Sequence, residues 1–354
     1  MPGVIDVARR AGTSAATVSR VFSGASSVRP ETRKRVMAAA YALGYRPDLL
    51  ARNLRRRQSE LAQLRFSIGV MIADATIRAT VPVNLELVIA VETAVRERGF
   101  GLRLIASREG PVPPEVLSGD VDGVIVYGST SCIKDLSRMV PTVTIDAYDA
   151  TSDAYGIMPD YRRAICDVTR RLFKAGHRRV VVACGEPETD GRLDTPGEAA
   201  AGCAAAYHAC RLAPPDPMEY RVSPDPAIGY EFAMSILKAK GRRPEAMIIV
   251  GSGAPGVYRA AEECRLKIPR DLSIVGVNGG TLGQYLSPPL TSIDPDVRAL
   301  ADMAARIVTE CASRGERRRG MEITPVTLAE RDSARLPAPG RAGRGQTGSG
   351  VRRA

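Results

Sequence analysis

The stretch Ile5-Asp6-Val7-Ala8-Arg9-Arg10-Ala11-Gly12-Thr13-Ser14-Ala15-Ala16-Thr17-Val18-Ser19-Arg20-Val21 decides how this chain is read. Val4, Val7, Ala8 and Ala11 recur at helical spacing, so one side of a first helix is apolar. Gly12 can take the positive φ that ends a helix, and Ser14 can accept hydrogen bonds from the free amides of the next. Val18 and Val21 carry the buried side onward. Ala15, Ala16, Ser19 and Arg20 are left on an outward face of small residues and one cation, which can lie close against a DNA major groove. With Ser14 and Thr17 beside them, they are the candidate base-reading residues.

The rest of the head extends this pattern. Phe22 to Val28 reads as a Ser/Gly-rich loop, and Pro30 suits the first position of a third helix, with Val36, Ala39, Ala40 and Leu43 on its apolar side. Gly44 stops that helix, and the residue before Pro47 avoids helical geometry. Asp48 to Leu54 is a helix of under two turns, followed by Arg55-Arg56-Arg57. A helix shorter than roughly 12 residues is marginal in water, so this one orders only against something else, and the arginines name phosphate as the candidate.

Charge supports the same division. The 354 residues carry a net +11, yet the first 65 hold 13 Arg and Lys against 4 Asp and Glu, and four arginines with no acid follow Leu336. A basic head and tail around a nearly neutral body indicate a polyanion-binding head. Seven cysteines without a Cys-x-x-Cys pair read as free, mostly buried thiols in a reducing compartment, and two histidines argue against a zinc site. Neither a signal peptide nor a membrane span is evident, so a cytoplasmic protein is expected.

Asp6-Val7-Ala8, Ala11-Gly12, Thr17-Val18-Ser19-Arg20-Val21, Thr32-Arg33, Gly44-Tyr45-Arg46-Pro47, and Ala51 with Leu54 together resemble the lactose-repressor (LacI/GalR) family of bacterial transcriptional regulators. The resemblance implies a homodimer on a palindromic double-stranded operator. Ala15, Ala16 and Arg20 would read the major groove, and the hinge residues Ala51 and Leu54 would wedge the minor groove. Two departures stand out, because the usual caps of the first and third helices are Gly3 and Arg29 here. Loss of either cap weakens a helix start by about 0.5 to 2 kcal/mol.

From Phe66 short apolar runs alternate with helical stretches, the mark of parallel βαβ layers. Strands are expected at 67–72, 102–105, 123–127, 142–145, 179–183, 246–250 and 272–277. Helices are expected at 85–98, 161–175, 199–211, 230–240, 257–265 and 297–311. Two doubly wound α/β lobes fit this count, and the family resemblance implies that they form, behind an all-α helix-turn-helix head, a two-lobed α/β regulatory domain like periplasmic binding proteins. The divisions are 1–46 head, 47–65 hinge and linker, 66–336 effector-binding and dimerisation domain, and 337–354 disordered tail. Family analogy ends the first lobe near Gly156 and the second near Leu290. The tail lacks leucine heptads, so a dimer is expected rather than a tetramer.

Ligands of such sheets sit at the carboxyl ends of the strands. The resemblance places a small-molecule effector there, carbohydrate-like in much of the family, with Asp74, Asp146, Ser252 and Asn278 as candidate contacts. Four family anchors are altered: an Asn-Asp pair becomes Gly251-Ser252, an arginine becomes Ala199, an aromatic platform aligns near Pro224, and an aspartate becomes Asn278. Either the pocket serves a different molecule or effector control has been lost. A rival reading is a nucleotide-dependent oxidoreductase using the Gly-x-Gly-x-x-Gly match Gly251 to Gly256. Pro255 opposes it by placing an imide where a phosphate wants an amide donor. No catalytic residue, metal or cofactor is assigned, and His177 and His208 read as structural.

Overall fold

The computed structural model describes residues 3–22, 28–45, 66–72, 81–106, 112–186, 191–221, 225–238 and 243–337. The head comprises α1 (Val4–Ala11), α2 (Ala15–Phe22) and α3 (Pro30–Leu43). Val7, Ala8, Ala11, Val18, Val21, Val36, Ala39 and Ala40 form its core. Phe22 meets Tyr45 edge-on at 5.7 Å, closing the bundle.

The body continues with β1 (Phe66–Ile72), α4 (Val81–Glu97), β2 (Phe100–Ala106), α5 (Pro114–Leu117), β3 (Gly123–Tyr127), α6 (Ile133–Met139), β4 (Thr142–Ile145), β5 (Ala147–Tyr148) and β6 (Tyr155–Pro159). There follow α7 (Tyr161–Lys174), β7 (Val180–Cys184), β8 (Leu193–Asp194), α8 (Thr195–Ala209), β9 (Glu219–Arg221), α9 (Pro226–Leu237), β10 (Ala246–Val250), α10 (Ala254–Glu263) and β11 (Ser273–Val277). A 3-10 turn (Thr281–Tyr285), β12 (Thr291–Pro295), α11 (Val297–Arg314), β13 (Gly320–Thr324) and β14 (Val326–Ala329) complete the order. No helix among the described residues is long and apolar enough to cross a membrane.

Two six-stranded sheets result, ordered β13-β6-β4-β3-β1-β2 and β14-β12-β11-β10-β7-β9. The first is parallel throughout, and the second is parallel except where β14 joins β12. Helices cover both faces, which is why β3, β7 and β10 are buried at every position and read as unbroken apolar runs. β5 pairs with β8 and ties one lobe to the other.

Two expectations from sequence shift. β6 lies in the first sheet and β12 in the second, so the chain crosses between lobes at Asp160 and Asp296, not near Gly156 and Leu290. Both strands are short and end in proline, so pairing rather than apolar periodicity makes them strands. Helices α8, α9 and α10 begin about a turn earlier than expected, because each takes a proline into its first turn. Proline is tolerated there since those amides have no helical partner. Asp194 and Asp225 cap two of these starts by accepting from Gly197 N and from Ala227 and Ile228 N.

Candidate nucleic-acid interface and effector cleft

The turn between α1 and α2 forms as its residues dictate. Gly12 takes φ 59° and ψ 46°, and Thr13 N–H donates to the Ala8 carbonyl at 3.0 Å. Ser14 Oγ accepts from Thr17 N–H at 3.1 Å and lies 2.9 Å from the Thr17 hydroxyl. The other end of α2 is held by Arg33, which donates to the Val21 carbonyl. The missing cap at Gly3 is partly offset, since Asp6 reaches back to accept from Gly3 N–H at 2.8 Å. Arg29 offers the start of α3 its backbone carbonyl, which accepts from Arg33 N–H.

Ser14, Ala15, Ala16, Ser19 and Arg20 are exposed and Thr17 is half-buried, while Val18 and Val21 fill the core. The helix therefore presents a low surface of methyl and hydroxyl groups with Arg20 rising from it. A guanidinium there can donate two hydrogen bonds to a guanine edge, and the alanines can touch a thymine methyl. Hinge residues Ala51 and Leu54, like Asp74, lie outside the described residues.

In the body, Asp146 follows β4 and Asn278 follows β11, equivalent positions in the two sheets. Both take positive φ, 63° and 60°, and both donate backbone N–H to the neighbouring strand, at Ile157 and Ile293. The left-handed region suits Asp and Asn better than other side chains. Here the two residues meet between the lobes. Tyr161, the first residue of α7, donates its hydroxyl to Asn278 Oδ1 at 2.6 Å. That bond leaves the Asn278 amide donors facing Asp146, and the Tyr127 hydroxyl faces the same carboxyl from β3.

Asp146 is 8% exposed, and its Oδ1 has no hydrogen-bond partner among the described residues. Burial raises its pKa to about 7, against the opposing pull of Tyr127 and Asn278. The neutral acid is thus favoured by the fold. Between the ordinary carboxylate range and about pH 7 the folded state binds this proton and the unfolded state does not, so stability falls as pH rises through that window. Buried His177, whose pKa burial lowers, works in the opposite direction below its ordinary value. Asp146→Asn is therefore expected to be stabilised relative to the parent at pH 8 more than at pH 5. Thermal melts of both proteins across this range check it, and parallel profiles would refute the buried neutral acid.

Beside Asn278 a cleft of about 400 Å³ opens between α4 and the second lobe. Asp294 and Asp296 on its wall are already engaged, by Ser292 and Gly280 and by the α11 amide of Ala299. Exposed Glu86, Gln284 and Arg298 remain to meet a ligand. Ser252 is half-buried at the end of β10 and does not border this cleft. Ala199 is fully buried in α8. Asp146 and Asn278 are expected from sequence, whereas Tyr127, Tyr161, Glu86 and Arg298 are not. Tyr161 and Asn278 are 117 residues apart, and only the folded sheets join them.

Two glycines of the rival nucleotide loop, Gly253 and Gly256, have a packing explanation, while Gly251 takes a positive φ of 83°. A Cβ on Gly256 would stand 1.9 Å from the Pro226 carbonyl, and Gly253 lies against Gly229, so α9 and α10 touch backbone to backbone. His177 is buried against Ser273, with Nε2 at 3.1 Å from its hydroxyl, and His208 is exposed on α8. All seven cysteines are free thiols, four of them buried. No group of metal-ligating side chains occurs among the described residues.

Residues 4–48 match the family model of bacterial regulatory proteins, lacI family, and residues 169–334 match the periplasmic binding protein-like domain. An HTH-type transcriptional regulator in the aml 5′ region of Streptomyces limosus is 30% identical over 330 residues, covering 88% of each chain. This chain belongs to the lacI family of bacterial transcriptional regulators. The ribose operon repressor of Escherichia coli K12 is 29% identical over 350 residues, 93% of this chain and 98% of that one. The lac repressor dimer bound to operator and the anti-inducer ONPF shares the fold, with a TM-score of 0.62 at 24% identity, over 94% of this chain and 98% of that one. A helical head on a two-lobed body is thus the architecture shared with these relatives, and α1, the turn at Gly12 and α2 form the helix-turn-helix of that head.

Proposed function

We propose that the protein is a transcriptional repressor that binds a palindromic operator as a homodimer through its two heads and is modulated by a small-molecule effector. The observation that carries this reading is the exposed face of α2, built of small residues and Arg20 on a head that matches the lacI family over residues 4–48. Residues 1–46 would form the DNA-reading unit and 47–65 the hinge, with Ala51 and Leu54 in the minor groove. Residues 66–336 would form the regulatory body, followed by a tail at 337–354. The protein would act in the cytoplasm and catalyse no reaction.

The ribose operon repressor and the lac repressor among the relatives make a carbohydrate-like effector the natural expectation. The polar cleft with Glu86, Gln284 and Arg298 supports a hydroxyl-bearing ligand. Asp146 and Asn278, however, face each other, so they would grip a ligand only after the lobes part. Asp74 and Ser252 remain candidate contacts under the same reading. The tight approach of α9 and α10 accounts for Gly253 and Gly256 without a nucleotide, which favours the regulator over the oxidoreductase.

Arg20→Ala is the direct test of the reading head. It is expected to relax base preference at one position per half-site and cost about 1 to 3 kcal/mol. Fluorescence anisotropy on operator duplexes varied at single positions measures this. Uniform weakening on every sequence would make Arg20 a phosphate contact instead.

A further inference from the structure

All six strands of the first sheet are parallel, so their amino ends share one edge of the lobe. The chain enters that edge at Phe66, directly after the basic segment 47–65 that comes from the DNA-reading head. It is therefore the edge nearest in sequence to bound DNA. Among the described residues five arginines stand on it, with Asp120, Asp122, Asp153 and Glu316 as acids of the same edge.

Arg98 precedes β2, Arg314 ends α11, and Arg317, Arg318 and Arg319 fill the loop into β13. The segment 314–319 holds four arginines and one glutamate. Between the ends of α4 and α11 the surface dips into a hollow of about 340 Å³, lined by Arg98, Arg306 and Arg314 with Glu310 as its acid. Phe100 also lines the hollow, and its ring lies 5.3 Å from that of Phe66. The hollow thus adjoins Phe66, the first described residue of the body.

Several of these charges are already engaged. Arg98 donates to Asp302 at 2.7 Å, Arg319 pairs with Asp153, Arg318 covers the Tyr155 ring at 4.9 Å, and Arg306 lies 4.0 Å from Glu310. Arg314 and Arg317 are exposed and form no ion pair with a described residue. Two such guanidiniums per protomer, on the edge that continues from the head, fit a polyanion of regular spacing. Phosphodiester backbone has that chemistry.

We propose that this arginine edge of the first lobe is a second DNA contact, holding backbone phosphates of the duplex whose bases the heads read. The contact carries no sequence information and adds affinity and salt dependence. It rests on the DNA-binding reading above. An acidic protein segment is the other ligand such a surface could take.

The test compares the full-length parent with Arg314→Gln/Arg317→Gln on the duplex enriched from a random pool, across a salt series. A second variant, Arg163→Gln/Arg170→Gln, removes the same charge from exposed positions on α7 of the second lobe. The edge variant removes two guanidiniums from each protomer, so a dimer gives up about four phosphate pairings. Its slope of log affinity against log salt is expected to be shallower by about 3 to 4. It should also bind at least roughly tenfold more weakly at low salt while keeping the parent's base preferences. Arg314→Lys/Arg317→Lys is expected to restore binding, since a phosphate contact needs charge more than a fork. The α7 variant should leave the slope unchanged. Equal slopes for parent and edge variant, or an equal loss in the α7 variant, would overturn the proposal and leave the DNA-binding reading intact. Failure of the parent to enrich any sequence would overturn that reading instead.

Discussion

Replacing both Leu85 and Ile89 with aspartate is expected to yield a folded monomer whose operator affinity is lower by roughly two to four orders of magnitude. Each of these side chains is 57% exposed on α4, one helical turn apart, and Leu104 on the edge strand β2 is 61% exposed. Large apolar groups gathered on one side of a lobe are what a second copy of the chain would cover. Aspartates there leave the lobe core untouched, because Leu87, Val91 and Val95 form the buried side of the same helix. Two heads on one dimer gain from effective concentration, and separating them forfeits that gain, on the order of 10² to 10⁴ in affinity. Sedimentation velocity and anisotropy on the same samples check both halves of the expectation. A variant that stays dimeric would move the interface elsewhere, towards the exposed Leu282 and Tyr285 on the second lobe.

The second large effect concerns Gly256. An added Cβ would lie 1.9 Å from Pro226 O and 2.6 Å from Tyr230 N, and both atoms are backbone. No rotamer change relieves such a contact, so α9 must shift away from α10. Gly256→Val is expected to cost at least about 3 kcal/mol, the upper end of the overpacking range. In a domain of this size that corresponds to a fall in melting temperature of roughly 6 to 12 °C. An unchanged melting temperature would show that the two helices do not meet there. It would also reopen the loop to a nucleotide, which saturating dinucleotide in the same melt would detect by raising the parent's transition.

What is legible in the sequence divides by the range of the interaction. The cap of α2 by Ser14, the stop at Gly12 and the buried run Gly123 to Tyr127 each depend on neighbours within a few residues, and each forms as expected. The starts of α8, α9 and α10 come a turn before their apolar periodicity begins, since the proline in each belongs to the first turn and not to a boundary outside the helix. β6 and β13 carry no clear local signal because their residues become strands by pairing with each other and with β4. Asp146 is a candidate by its strand-end position and Asn278 by the family resemblance, but their meeting depends on how the two lobes close. Nothing local to Asn278 announces Tyr161, which fixes its amide, or Tyr127, which shares its carboxyl partner. Glu86, Gln284 and Arg298 likewise become neighbours of one cavity only through the crossings at Asp160 and Asp296.

Selection of bound duplexes from a random DNA pool by the full-length protein decides whether the heads of a dimer read a palindrome. Enriched sequences should carry two inverted half-sites at fixed spacing, and preference at one position in each half-site should disappear when Arg20→Ala is used for the same selection. Enrichment of no sequence, or of a single site without inverted symmetry, would contradict a dimeric, base-reading repressor.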